Sequence, residues 1–93
     1  LPSPNIGRHL TSDQIERAVR IAIPYGATLP FVESYFRKNR IVYGFDRFTS
    51  TLYATIRRVR GSFIASKDVE IRCHFTDRKT VDKITFSVSN TFL

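Results

Sequence analysis

Apolar residues recur at two periods along this chain, and the period changes near Ile41. Ile15, Ala18, Val19, Ala22 and Ile23 follow the spacing of one helical face. Thr11-Ser12-Asp13-Gln14 fits a capping box, so the helix is predicted to begin at Thr11 as N-cap, with Gln14 answering three residues on. Leu10 and Ile15 stand where a hydrophobic staple would fix the entry of the chain. Asp13–Arg17 and Glu16–Arg20 have the (i, i+4) spacing of ion pairs on the opposite side, each adding about 0.2–0.5 kcal/mol. Pro24 stops the helix by disfavouring helical geometry in the residue before it.

Tyr25-Gly26-Ala27 is then a corner. A second helix follows, with Thr28 as N-cap and Pro30 in the first turn, where a missing N–H costs nothing. Leu29, Val32 and Phe36 make its buried stripe, flanked by Phe31 and Tyr35, and Glu33–Arg37 is another (i, i+4) pair. Arg37 and Lys38 suit the negative end of the helix dipole, and Asn39 is the expected C′ residue.

Beyond this point the period is two. Ile41, Tyr43 and Phe45 alternate with Val42, Gly44 and Asp46 in a first strand. A turn over residues 46–50 leads to a second strand over residues 51–60, with Leu52, Ala54 and Ile56 on one face and Tyr53, Thr55 and Arg57 on the other. Val59 falls out of phase with Ile56, which implies either a bulge or a strand running past the core edge. Residues 61–68 read as a loop pinned by Phe63 and Ile64. In the third strand Val69, Ile71, Cys73 and Phe75 face inward, while Glu70, Arg72, His74 and Thr76 face out. A hairpin turn at residues 77–80 precedes a fourth strand with Ile84, Phe86 and Val88 inward.

One polar face on every strand predicts a sheet covered on one side only. The expected fold class is α+β, with two N-terminal helices packed on one face of a four-stranded antiparallel sheet (ααββββ). Residues 1–10, with two Pro, a Gly and an Asn, form a flexible lead-in to a single domain over residues 11–93.

Composition fits that picture: 93 residues, 42% hydrophobic and 25% charged, describe one globular domain. Without Met or Trp, the core must be Phe, Ile, Val and Leu. The single cysteine excludes an internal disulfide and a multi-cysteine zinc site. The chain opens Leu1-Pro2-Ser3-Pro4-Asn5, without an initiator Met, which reads as a processed or trimmed product and leaves room for a signal peptide or lipid-anchor segment upstream.

Nothing in the chain assembles a catalytic centre or a cofactor site. Cys73 and His74 are neighbours on a strand, so their side chains point to opposite faces and cannot act as a thiol–imidazole pair. His9 has no partner at metal-ligand spacing. The carboxylates fall at helix caps, ion pairs, turns and strand ends, and Gly7, Gly26, Gly44 and Gly61 are isolated, so no phosphate loop exists. The expected protein is not an enzyme.

Charge is the polar signal that remains. The formal net charge is +7, and the segment from Arg37 to Arg60 holds seven basic residues against Asp46 alone. Arg37, Lys38 and Arg40 leave the second helix; Arg57, Arg58 and Arg60 leave the second strand. In an antiparallel hairpin the start of one strand lies beside the end of the next, so the two clusters should meet. The bland reading of such a patch is solubility and helix-end complementarity. The functional reading is a surface for an acidic protein, an anionic lipid or a nucleic acid. Tyr43 and Tyr53 are candidate aromatics for stacking on a single strand, although their parity equally allows a core role.

Ile23-Pro24-Tyr25-Gly26-Ala27-Thr28, then Val32 and Phe36, resembles a pattern in the small outer-membrane lipoprotein family that includes BamE (OmlA, SmpA). That pattern is an apolar residue, two positions, Gly, a small or apolar residue, Thr, then Val and Leu at helical spacing. The family's order of two helices and an antiparallel sheet matches the order read here, and the β-lactamase inhibitor protein repeat shares that architecture. The chain departs from the pattern at Phe36, where Leu is usual, and at Arg37, where a Gly often follows. The resemblance implies an envelope or secreted protein that works by binding other proteins, with no catalytic residues. The expectation is therefore a protein-binding or scaffolding domain, periplasmic or secreted. The alternative is a cytoplasmic nucleic-acid-binding domain that uses the cationic patch.

Overall fold

The change of period becomes a change of layer. A computed structural model describes residues 6–7, 9–59 and 65–92. Side-chain surroundings within that range are described for all but residues 58, 65, 66 and 90–92. The elements are α1 (Ser12–Ala22), α2 (Leu29–Lys38), β1 (Val42–Asp46), β2 (Thr51–Val59), β3 (Ala65–Phe75) and β4 (Val81–Phe92). The strands form one antiparallel sheet in the order β1-β2-β3-β4, and both helices lie on one face of it. The Cα extents, 43 × 33 × 18 Å, are those of two layers.

The start of α1 follows the sequence closely. Thr11 Oγ1 accepts from the Gln14 N–H at 3.2 Å, and Gln14 Oε1 accepts from the Thr11 N–H at 2.9 Å. Glu16 and Arg20 pair at 3.3 Å. Asp13–Arg17 and Glu33–Arg37 do not come within ion-pairing distance, and Arg37 instead donates to the Tyr43 hydroxyl at 3.0 Å. At the end of α1, Ile23 leaves helical geometry (φ −120°, ψ 88°), as the residue before a proline tends to, while its N–H still closes on the Val19 carbonyl.

The corner after Pro24 is more than a connection. Gly26 sits at φ +90°, a conformation that disfavours any Cβ. Its N–H donates to the Val81 carbonyl at 2.8 Å, and the Val81 N–H returns a bond to Ala27 at 2.9 Å. Thr28 forms a bridge with Thr80, and the Leu29 N–H goes to the Lys79 carbonyl. Helix N-terminal donors need partners. One of them is supplied here by the β3–β4 turn, and the Thr28 side chain makes no capping bond.

The end of α2 shifts by one residue from expectation. Asn39 is the C-cap, and Arg40, at φ 57°, is the left-handed residue. The Ile41 N–H bonds to Phe36 and the Arg40 N–H to Arg37, the two closures of a Schellman motif. Asn39 does different work. Its Nδ2 donates to the Tyr35 carbonyl, and its Oδ1 accepts from the Ile6 N–H, both at 2.8 Å. Ile6 is buried, so among the described residues one that precedes the Thr11 boundary drawn from sequence belongs to the core.

The core is Ile15, Val19, Ile23, Val32 and Phe36 from the helical layer against Leu52, Ala54, Ile56, Val69, Ile71, Cys73 and Phe75. Each fully buried large side chain contributes about 1.5–3 kcal/mol. Val59 is buried because a bulge between Ile56 and Val59 restores its phase. β3 begins at Ala65, so residues 65–68, expected as loop, are strand; the pinning role of Phe63 and Ile64 concerns residues outside those described. Ile84 is buried, Phe86 is partly so, and Val88 keeps the inward parity but is 49% exposed. No helix among the described residues is long and apolar enough to cross a membrane.

Candidate functional site

The hairpin β1–β2 decides where the cations go. Val42 pairs with Thr55, so Arg40 and Arg57 each lie two residues beyond a paired position at the same end of the sheet. Both line one cleft of about 650 Å³, between residues 39–42 and residues 55–57, with Gly7 at its edge. Arg37 and Lys38 are exposed on the last turn of α2, and Arg37 is drawn toward β1 by Tyr43. Arg58 lies in β2 with its side chain outside the described part, and Arg60 lies outside the described residues. Of the two clusters, Arg40 and Arg57 are thus brought to one cleft.

Arg57 also borders a second cleft, of about 410 Å³, on the sheet face away from the helices. Asp68, Glu70 and Ser87 stand in it. Among the described residues, no element covers that outer face on any of the four strands. Arg57, Arg72 and Lys83 share it with Asp68, Glu70 and Asp82, so charges of opposite sign offset one another there. Arg72 Nε donates to Glu70 Oε1 at 2.5 Å, and the Arg72 guanidinium lies 5.8 Å from the Tyr53 ring centroid. Across the ladder from Tyr53 stands Gly44, beside which the space is open. The ring of Tyr53 is thus flanked by a cation on β3 and by bare backbone on β1.

Tyr43 and Tyr53 separate by parity. Tyr43 faces the helices, half-buried, with its ring 6.4 Å from Phe36. Tyr53 belongs to the open face. Parity separates Cys73 from His74 in the same way, one buried and one exposed. His74 Nδ1 lies 2.6 Å from Asp82 Oδ1, a contact that sequence reasoning missed. It arises because the β3–β4 register shifts between His74 and Phe75, which brings Asp82 as well as Lys83 beside His74. The gap between the paired partners Val81 and Lys83 is the only trace of this, and it is visible only once the register is known.

Among the described residues, the ionisable groups displaced by their surroundings lie in the core. Burial pushes the Tyr35 hydroxyl and the Cys73 thiol each up to about 12. Neither lines a cleft named above. Among the described residues, no three His, Cys, Asp or Glu side chains are grouped to hold a metal ion. What the described part of the outer face offers is a hydrogen-bonding surface of mixed charge centred on Tyr53. What the cleft offers is two guanidinium groups beside Asn39 and Thr55. Compared with protein-family models, with curated proteins and with solved structures, the chain matches none of them.

Proposed function

We propose that this chain is a non-enzymatic protein-binding or scaffolding domain of the bacterial envelope or of a secreted protein, and that it docks through the outer face of its sheet. The observation that carries this reading is the four-stranded face with Tyr53 at its centre, uncovered by any described element and open on the Gly44 side. Tyr and Arg are the residues that most often anchor protein interfaces, and here Arg72 stands over Tyr53. The balance of Arg57, Arg72 and Lys83 against Asp68, Glu70 and Asp82 suits a protein surface of mixed charge better than a polyanion. The resemblance of residues 23–36 to the BamE family supports the envelope setting.

A photo-crosslinking residue placed at Tyr53, compared with one at Ile21 on the exposed side of α1, tests this in the native source. A discrete protein adduct at position 53 and none at 21 is expected, and Arg72→Glu should abolish it. Equal labelling at the two positions would overturn the docking face.

A second reading rests on the pairing of Arg40 with Arg57 in one cleft of a +7 chain. There the partner is a nucleic acid, and binding falls steeply with salt as counterions are released. Retention of single-stranded RNA or DNA at low salt, lost in the double variant Arg40→Glu, Arg57→Glu, would favour it. No retention at low salt would remove it.

A further inference from the structure

The two edges of the sheet are unlike. β1 has five residues, one of them Gly44, and ends in Asp46. β4 has twelve, and only its beginning is covered, where Val81 exchanges hydrogen bonds with Gly26 and Ala27. From Lys83 onward, no described segment other than β3 pairs with it.

The direction of the free backbone groups follows from the ladder. Phe75 turns its N–H away from β4, to Ser50, at 2.8 Å. Orientation alternates residue by residue in an antiparallel ladder, so Cys73, Ile71 and Val69 also turn to β2. Their partners on β4 are Ile84, Phe86 and Val88. These three therefore direct their N–H and C=O groups to the open edge.

Edge strands are normally protected by charge, proline, a bulge or shortness. The bulge, Asp82 and Lys83 protect only the start of β4. From Ile84 to Phe92 there is no charge, no Pro and no Gly, and the run is rich in β-branched and aromatic residues. Such a strand is a template for another.

We propose that β4 is a dimerisation edge, on which two copies of this chain pair β4 with β4 antiparallel about a twofold axis at Val88. The uncharged run, residues 84–92, is symmetric about that residue. In this register Ile84 meets Phe92, Phe86 meets Asn90, and Val88 meets its own copy. A second copy is the favoured occupant because a twofold contact sets like against like. Only a charge-free segment does so without repulsion, and the rest of this +7 chain offers none of comparable length on an edge. Val88 has inward parity and is yet 49% exposed; pairing gives it an apolar neighbour. The product is an eight-stranded sheet with all four helices on one side. Every narrow pair of such a ladder exchanges two hydrogen bonds, giving about ten, the number typical of a standard interface.

Sedimentation equilibrium of the full chain over a concentration series tests this. The expected mass rises from 10.7 kDa toward twice that value, and the rise is stronger at high salt, which screens the repulsion between two +7 chains. Val88→Lys sets two ammonium groups against each other at the axis. Val88→Pro removes an N–H that makes no bond to β3. Both variants should sediment as monomers where the natural chain is dimeric, and Val88→Lys should keep the native circular dichroism and melting curve. A natural chain that stays at 10.7 kDa up to millimolar concentration at high salt would overturn the proposal. So would a Val88→Lys variant that still dimerises.

Discussion

At Cys73 the chemistry of a single atom is set by where the strand puts it. The thiol is fully buried between Leu52 and Ile84, its cross-strand neighbours, and holds its proton up to about 12 against an ordinary value of 9. In the unfolded chain the same thiol ionises above pH 9. The stability that depends on a neutral thiol is thus complete below pH 9 and lost as pH rises toward 12, at about 1.4 kcal/mol per pH unit. Tyr35 acts in the same direction from pH 10, its ordinary value, to about 12. The urea midpoint should therefore fall between pH 8 and pH 10.5, and fall less in Cys73→Val. Native protein at pH 8 should react with a disulfide reagent only at the rate of unfolding, and fast labelling of the folded chain would contradict this account. The placement of Cys73 was legible in the sequence, because strand parity alone puts it with Ile71 and Phe75. The placement of Asn39 was not. Its amide clasps Ile6 across 33 positions, and no local pattern encodes so distant a partner.

At the scale of elements, the two threonines that precede helices look alike in sequence and differ in structure. Thr11 makes both bonds of a capping box, whereas the Thr28 side chain makes no capping bond and the Leu29 N–H is satisfied by Lys79 in the β3–β4 turn. Thr11→Ala should cost about 1 kcal/mol, and Thr28→Ala less than about 0.5 kcal/mol. Thermal melts of the two variants side by side measure the difference. All six elements were readable from period and punctuation, since helical spacing, alternation and proline are properties of the chain's own neighbours. Where the reading failed, a tertiary partner had intervened. Arg40 took the left-handed position expected of Asn39, and residues 65–68 joined β3 by pairing with β4. The out-of-phase Val59 left two explanations open, and the bulge against β3 decides between them.

Across the whole molecule, the described cations of the basic segment face different neighbours. Arg37 is drawn toward Tyr43, Arg40 and Arg57 line one cleft, and Arg57 also borders the acidic outer face, while the Arg58 side chain and Arg60 lie outside the described part. The approach of Arg40 to Arg57 followed from topology and was legible. Their dilution by Asp68 and Glu70 depends on the register of β3 and was not. The corner at residues 26–29 carries a different kind of consequence. Its hydrogen bonds run to Lys79 and Val81, more than half the chain away. The helices therefore cannot complete their own joint. A chain emerging in order from its N-terminus holds both helices long before the strand that locks them exists, and the joint closes only when β4 arrives. The amide protons of Gly26, Leu29 and Val81 should consequently exchange with solvent at one common, slow rate, that of global unfolding, while the first turn of α1 exchanges faster. Exchange of Gly26 ahead of Val81 would show that the helical pair opens alone.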